Sequence, residues 1–452
     1  MIETKNLERH PASTSGLVNI RSLGPMQSPT ALVVGHDTVA LVLVTVLFFL
    51  WGFLACFNDV LVPHFKTIFN LNRTEDLLVQ LALFVGYLLF SYPIGKVIPR
   101  IGYQKTMVSG LLATGMGAFL AVTATVWPSY LLFLISMIVL GGGMATLQVA
   151  ANAYLLLAGD SGQGTSRLML AQAFNSLGRV VAPALAGMLI ISSIPVNALE
   201  LRNLSPDALH YYRLSQAESV KLPYVLMGLV VITLAAILAS VHIPDIRFSK
   251  PAGTTDSVWK HSNLLLAAVA IFLYVGSEVS IGGLLARYLS LPDAGRLALK
   301  TAIALVPIFW IGALIGRVAG AVILRRLNTM VVLGVSAIGA AAMVGISVAT
   351  RGHASAWSIL CVGLFNSVMF PCIFALGVSD LGQLTSEGSG LMISAVAGGA
   401  VIPALQALLE AKVGAHYSLA IPAICYLYIL WFAIHLTKAR RSPTWRTEQA
   451  VS

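Results

Sequence analysis

A chain of 452 residues that is 57% hydrophobic and only 10% charged, with a mean hydropathy of +0.85, cannot cover a water-soluble domain of its size with polar side chains. Its net charge of +10 is spread over short clusters between apolar runs, the usage of membrane loops rather than of a nucleic-acid-binding face. An all-α polytopic membrane protein is expected, with the lipid bilayer as partner and no nucleic acid.

Residues 1–38 are polar and rich in Ser, Pro and Gly, which predicts a disordered cytoplasmic tail without a cleavable signal peptide. Twelve apolar runs follow, each long enough to cross roughly 30 Å of hydrocarbon as a helix. They fall at about 39–66, 76–98, 105–127, 129–158, 165–193 and 221–243, then at 262–290, 297–323, 328–350, 355–378, 387–411 and 416–437. An even count places both termini on one side. That side carries Lys96, Arg100 and Lys105, then Arg247, Lys250 and Lys260, then Arg325 and Arg326, and Lys438, Arg440, Arg441 and Arg446 in the 438–452 tail. The positive-inside rule makes it the cytoplasm. Cys56, Cys361, Cys372 and Cys425 lie within apolar runs without metal-ligand spacing and are expected to pack; no metal site is expected.

The one long polar interruption, IPDIRFSKPAGTTDSVWKHS, gives a central cytoplasmic loop at 244–261 between halves at 39–243 and 262–437. The halves resemble each other. GKVIPR at 95–100 matches GAVILR at 320–325; TS at 165–166 with VAPAL at 181–185 matches TS at 385–386 with VIPAL at 401–405. The offsets, 225 and 220 residues, nearly agree, which favours a duplication. Two six-helix halves in pseudo-twofold repeat, with a site between them at mid-membrane, form the major facilitator architecture.

An Asp at the centre of a membrane helix costs roughly 2.5–3.5 kcal/mol, so an acid there normally faces a cavity or a partner. Asp59 in FFLWGFLACFNDVLVPHF is such an acid, with Asn58 beside it and Gly52, Ala55 and Cys56 on its helical face, an arrangement that predicts open space next to the carboxylate. Pro63 has no N–H for the Asp59 carbonyl, so one position offers two acceptors to a proton, a cation or a sugar hydroxyl. The bland alternative is an acid near the outer helix end that reaches the interface. In span 4, Gly141, Ala145, Gln148 and Asn152 form one stripe; in span 5, Gln172, Asn175, Ser176 and Arg179 form another. Gln80, Tyr87, Tyr274, Glu278 and Asn366 add to the polar set. Any one amide can serve helix packing. Together, amides that donate and accept suit a neutral, hydroxyl-rich ligand. TGMGA at 114–118 reads as helix packing, and no GK[ST] phosphate loop appears, so ATP does not drive the chain directly. No cofactor is expected beyond a coupling proton, with sodium as the other possible ion.

FFLWGF…NDVLVPHFK (48–66), LQVAANAY (147–154), SRLMLAQAFNSLG (166–178), YVGSEVSIGGLL (274–285), VGLFNSVMFPCIFALG (362–377) and TSEGSGLMISAVAGGAVIPALQ (385–406) resemble the fucose–galactose–glucose:proton symporter family, closest to its bacterial glucose/galactose transporters. The resemblance implies a twelve-helix, monomeric inner-membrane carrier that takes up a monosaccharide with a proton by alternating access, and no enzyme. It implies that Asp59 is the proton-coupling acid, with Glu278 as a second candidate. The fucose branch has an acid where this chain has Gln148, which points away from fucose. Ala153 stands where the family has proline, which removes a helix break from span 4. Arg179 replaces a small polar residue: it can pair with an acid, sit at the cytoplasmic gate or admit an acidic sugar. Pairing is expected, since two acids, Asp59 and Glu278, match two embedded arginines, Arg179 and Arg317. GKVIPRIGYQK keeps the basic residues of the superfamily's loop motif without its Asp. The competing functions are a carrier of another solute (fucose, a sugar acid or a drug) and a transport-inactive sugar sensor.

Overall fold

The computed structural model describes residues 38–159, 161–190, 205–244, 246, 257–292 and 294–439. The two expected tails, apart from Thr38, Lys438 and Ala439, which are helical, and most of the 244–261 loop lie outside these residues. Among the described residues the chain is helical throughout: α1 (Thr38–Ile68), α2 (Arg73–Ile101), α3 (Tyr103–Val126), α4 (Tyr130–Leu157), α5 (Gly164–Ile190) and α6 (Pro206–Ser240) in the first half. The second half has α7 (Ser262–Ser290), α8 (Leu299–Ile323), α9 (Thr329–Ala349), α10 (His353–Asn366), α11 (Met369–Val378), α12 (Thr385–Ser394), α13 (Gly398–Ser418) and α14 (Ala420–Ala439). Eleven helices are long and apolar enough to cross a membrane, counting 353–378 and 382–418 once each. The remaining span is α5, which has the length but carries Arg167, Gln172, Asn175, Ser176 and Arg179.

Lipid-like surroundings explain the outer surface, where Leu88, Leu131, Val335, Leu408 and Ile424 are exposed. Hydroxyls inside the bundle donate back to their own helix, as Ser91 does to the Tyr87 carbonyl and Thr114 to that of Gly110. Cys361 is exposed at the periphery rather than packed, while Cys372 and Cys425 are buried.

Four helix limits differ from the hydropathy reading for identifiable reasons. The sixth span begins at Pro206, not near 221: the Ser205 hydroxyl accepts from the Ala208 N–H and proline occupies the first turn, so polar turns precede the apolar stretch. The tenth span is two helices, α10 and α11, parted at Ser367 and Val368. Pro371 cannot donate to the Ser367 carbonyl, which is thereby freed. A single 3₁₀ turn, Ala395–Ala397, separates α12 from α13, and α13 bends at Gly414, whose φ of 83° favours glycine. By contrast α4 runs unbroken through Ala153, where no proline interrupts it.

The duplicated motifs meet crosswise. Gly95 of the first GKVIPR lies on α12, where a Cβ would come 2.6 Å from the Ser386 carbonyl. The Ser166 hydroxyl at the start of α5 donates to the Ala321 carbonyl in GAVILR at 2.6 Å. Thus α2 pairs with α12 and α5 with α8, each motif against its repeat's partner. Gly390 continues the first seam, with its would-be Cβ 2.6 Å from the Ser91 carbonyl and 3.2 Å from the Gly95 Cα. Along the same seam Ser389 donates to the Val149 carbonyl at 2.7 Å, and Tyr92 donates to Glu387 at 2.8 Å. Lys96 sits over the Tyr92 ring and 3.7 Å from Glu387, and the Trp259 indole N–H donates to the Tyr92 hydroxyl at 2.9 Å. These fasteners cluster at the end of the bundle that carries the basic loops.

Candidate functional site

The intramembrane charges lie where α1, α5, α7 and α8 approach one another. Arg317 on α8 is buried and reaches across to the first half. Its Nη1 donates to the Ser176 hydroxyl at 2.6 Å, the Gln172 carbonyl at 3.1 Å and, more loosely, Asn175 Oδ1 at 3.5 Å. Its Nε donates to the Ser367 carbonyl at 3.3 Å, the acceptor that the α10–α11 break releases. Glu278 on α7 lies 3.9 Å from Arg317 Nη2 and receives the Tyr274 hydroxyl at 3.0 Å. Arg317 therefore ties the halves together and balances Glu278.

Asp59 is placed differently. Its side chain is exposed although it lies well inside α1, and among the described residues it has no hydrogen bond or contact ion pair. The small residues expected to leave space beside it do something else: a Cβ on Gly52 would fall 2.1 Å from the Asn175 carbonyl, so Gly52 admits α5. Among the described residues Arg179 makes no ion pair with Asp59. The Arg179 guanidinium instead lies over the Trp310 ring, 5.2 Å from its centroid, with Nε buried and without a hydrogen-bond partner.

The amides divide into three groups. Asn58 and Asn175 are engaged in packing: Asn58 Oδ1 accepts from Tyr224 on α6 at 2.7 Å, and Asn175 Nδ2 donates to the Phe48 carbonyl at 3.2 Å. Gln148 donates to the Tyr87 hydroxyl, which joins the α4 stripe to α2. Asn152 Nδ2 turns back to the Gln148 carbonyl at 2.9 Å, leaving Oδ1 unpaired. Gln172 Nε2 and both amide atoms of Asn366 are also buried and unpaired, with Asn366 beside Tyr426. Gln80 is exposed near the start of α2, away from this buried set. Tyr274 lies against Phe370, with ring centroids 6.4 Å apart.

Buried amides without partners are rare in folded proteins, and here they sit on α4, α5 and α10, on both sides of the midline. Sequence reasoning missed Trp310, whose ring the Arg179 guanidinium covers. It also missed the Tyr92–Glu387–Trp259 cluster, although an acid at the head of a membrane helix is a readable signal. Among the described residues no three His, Cys, Asp or Glu side chains converge as a metal site.

Two pseudo-symmetric helical halves around unpaired polar groups define a secondary transporter, not an enzyme. Comparison with known proteins agrees: the model of the Major Facilitator Superfamily matches residues 40–404, and the chain belongs to that superfamily and, within it, to the fucose–galactose–glucose:proton symporter family. The chain is 40% identical to the glucose/galactose transporter of Brucella abortus over 401 residues, which are 87% of this chain and 93% of that protein. It is 34% identical to a putative glucose/galactose transporter of Helicobacter pylori, over 88% of this chain and 97% of that one. A crystal structure of the transporter FucP in the outward conformation superposes with a TM-score of 0.80 at 28% identity, covering 88% of this chain and 98% of that one.

Proposed function

We propose that the chain takes up a six-carbon monosaccharide with glucose- or galactose-type hydroxyls together with a proton, across the bacterial inner membrane, and that Asp59 carries the proton. The reading is supported by the contrast between the two intramembrane acids. Glu278 is held by Tyr274 and Arg317, whereas Asp59 is exposed and unpartnered among the described residues. A carboxylate that must load and release a proton needs access and freedom from a permanent ion pair. The relatives' names, glucose/galactose transporter and L-fucose-proton symporter, support the substrate class and the coupling ion.

The seam at the basic end fits the alternating-access cycle. With that end taken as cytoplasmic, α2–α12 and α5–α8 close the inner gate while Asp59 opens toward the outer side. Sugar and proton then load from outside. Release requires the seam to part and the opposite ends of the halves to approach.

Asp59→Asn keeps size and hydrogen bonding but cannot titrate. Sugar counterflow across proteoliposomes, which needs no net proton movement, should persist in part, while accumulation driven by a pH gradient should vanish. A variant that still concentrates sugar would assign the proton to Glu278 or another group. Uptake by the unsubstituted protein that depends on sodium and ignores the pH gradient would reject proton coupling.

A further inference from the structure

The two embedded arginines are treated unequally. Arg317 donates to three oxygens within 3.3 Å and faces Glu278. Arg179 has no such surroundings: its Nε is buried without a partner, and no carboxylate of the described residues reaches ion-pair distance. It stands on α5 of the first half against Trp310 on α8 of the second. Trp310, from the second half, takes the Arg179 guanidinium over its ring, a contact that gives the guanidinium N–H groups no hydrogen-bond acceptor.

We propose that the site takes monosaccharides that carry a carboxylate, a hexuronate or an aldonate, and that Arg179 is the residue that selects them. This assignment rests on the proton-coupled monosaccharide reading and adds the charge of the substrate to it. A guanidinium is a planar fork of donors, the geometry that a carboxylate fills with two parallel hydrogen bonds. A neutral hexose offers hydroxyls, which leave that fork without an anionic acceptor.

Charge counting leads to the same substrate. Asp59 and Glu278 as carboxylates, with Arg179 and Arg317 as cations, sum to zero. When Asp59 takes up its proton, the same four groups sum to +1, and the excess lies on Arg179 because Arg317 already faces Glu278. A neutral sugar leaves that charge uncompensated between the halves, whereas a monoanion cancels it. The loaded carrier then moves a proton and a monoanion together, with no net charge.

The test uses the full chain in proteoliposomes. Counterflow of labelled D-galactose and D-glucose is challenged with D-galacturonate, D-glucuronate, D-gluconate and unlabelled hexoses. Net uptake of each is then measured under a pH gradient, with and without an inside-negative potassium-diffusion potential. The acids are expected to compete at least about tenfold better than the hexoses, as a charge-assisted pair requires. Their uptake should ignore the potential that stimulates hexose uptake. Arg179→Gln should lower the ratio of acid to hexose affinity by about one to two orders of magnitude, and Arg179→Lys, which keeps charge without the fork, by less. Hexose exchange that withstands about a hundredfold excess of every acid overturns the proposal and leaves the symporter reading intact. A parallel fall of acid and hexose affinity in both variants makes Arg179 a structural residue and also overturns it. Failure of the unsubstituted protein to exchange any of these compounds removes the monosaccharide reading and the proposal together.

Discussion

Replacing Arg317 by Met should reveal what the buried pair within the second half contributes to stability. Glu278 and Arg317 lie 3.9 Å apart, and at an effective dielectric constant of about 20 their attraction is about 4 kcal/mol. Arg317→Met deletes that attraction and leaves Glu278 buried without a counter-charge, which typically costs about 3–5 kcal/mol. Glu278→Gln is milder: Arg317 keeps its donations to Gln172, Ser176 and Ser367, and the cost is about 1–3 kcal/mol. The double variant should therefore be more stable than the sum of the single losses implies, by about 1–3 kcal/mol. Equilibrium unfolding of the purified protein in mixed detergent micelles measures all four corners of the cycle. Additivity within about 0.5 kcal/mol would show that the pair is incidental and that Arg317 acts through its hydrogen bonds alone.

Gly390→Leu puts a side chain against the Ser91 carbonyl and the Gly95 Cα, all backbone, so only separation of α2 from α12 relieves it. A cysteine at Ser386 should then react with a membrane-impermeant thiol reagent from the basic side, and unchanged protection would refute the close seam. Gln148→Ala should weaken sugar binding by about one to two orders of magnitude, and Tyr87→Phe should weaken it too, since the two share a hydrogen bond; unchanged affinity in both would reduce the pair to packing. Reporter fusions within 244–261 should read as cytoplasmic and those within 194–204 as external, and the reverse would overturn the inward placement of the basic loops.

The architecture was legible because hydropathy and repetition are one-dimensional signals. The crosswise contacts of GKVIPR and GAVILR follow from two motifs having been copied at nearly one offset. Individual roles were less legible, because a helical face names a direction and not its occupant. Gly52 shares a face with Asp59, yet α5 fills the space it leaves. Asn58 adjoins the acid in sequence but points to Tyr224, about 100° further round the helix. The balance of two acids and two arginines was readable, but not its asymmetry: a matched count cannot tell that Arg317 takes Glu278 while Arg179 turns to Trp310. The break that frees the Ser367 carbonyl could have been located from Pro371, whereas the arginine that uses it, fifty residues earlier, could not.

The seam at the basic end also sets how costly it is to turn the carrier over. Its glycine contacts bring backbones close without hydrogen bonds of their own, and they rely on few fasteners: Tyr92 to Glu387, Ser166 to Ala321 and Ser389 to Val149, with Arg317 to α5 deeper in the bundle. Each neutral bond is worth about 0.5–1.5 kcal/mol net, and those involving a charge about 1.5–3 kcal/mol. Inverting a 99:1 population takes about 5.5 kcal/mol of difference in affinity for the two orientations, on the order of what these few bonds supply together. A much tighter latch would strand the protein in one orientation, and a looser one would let it flip empty.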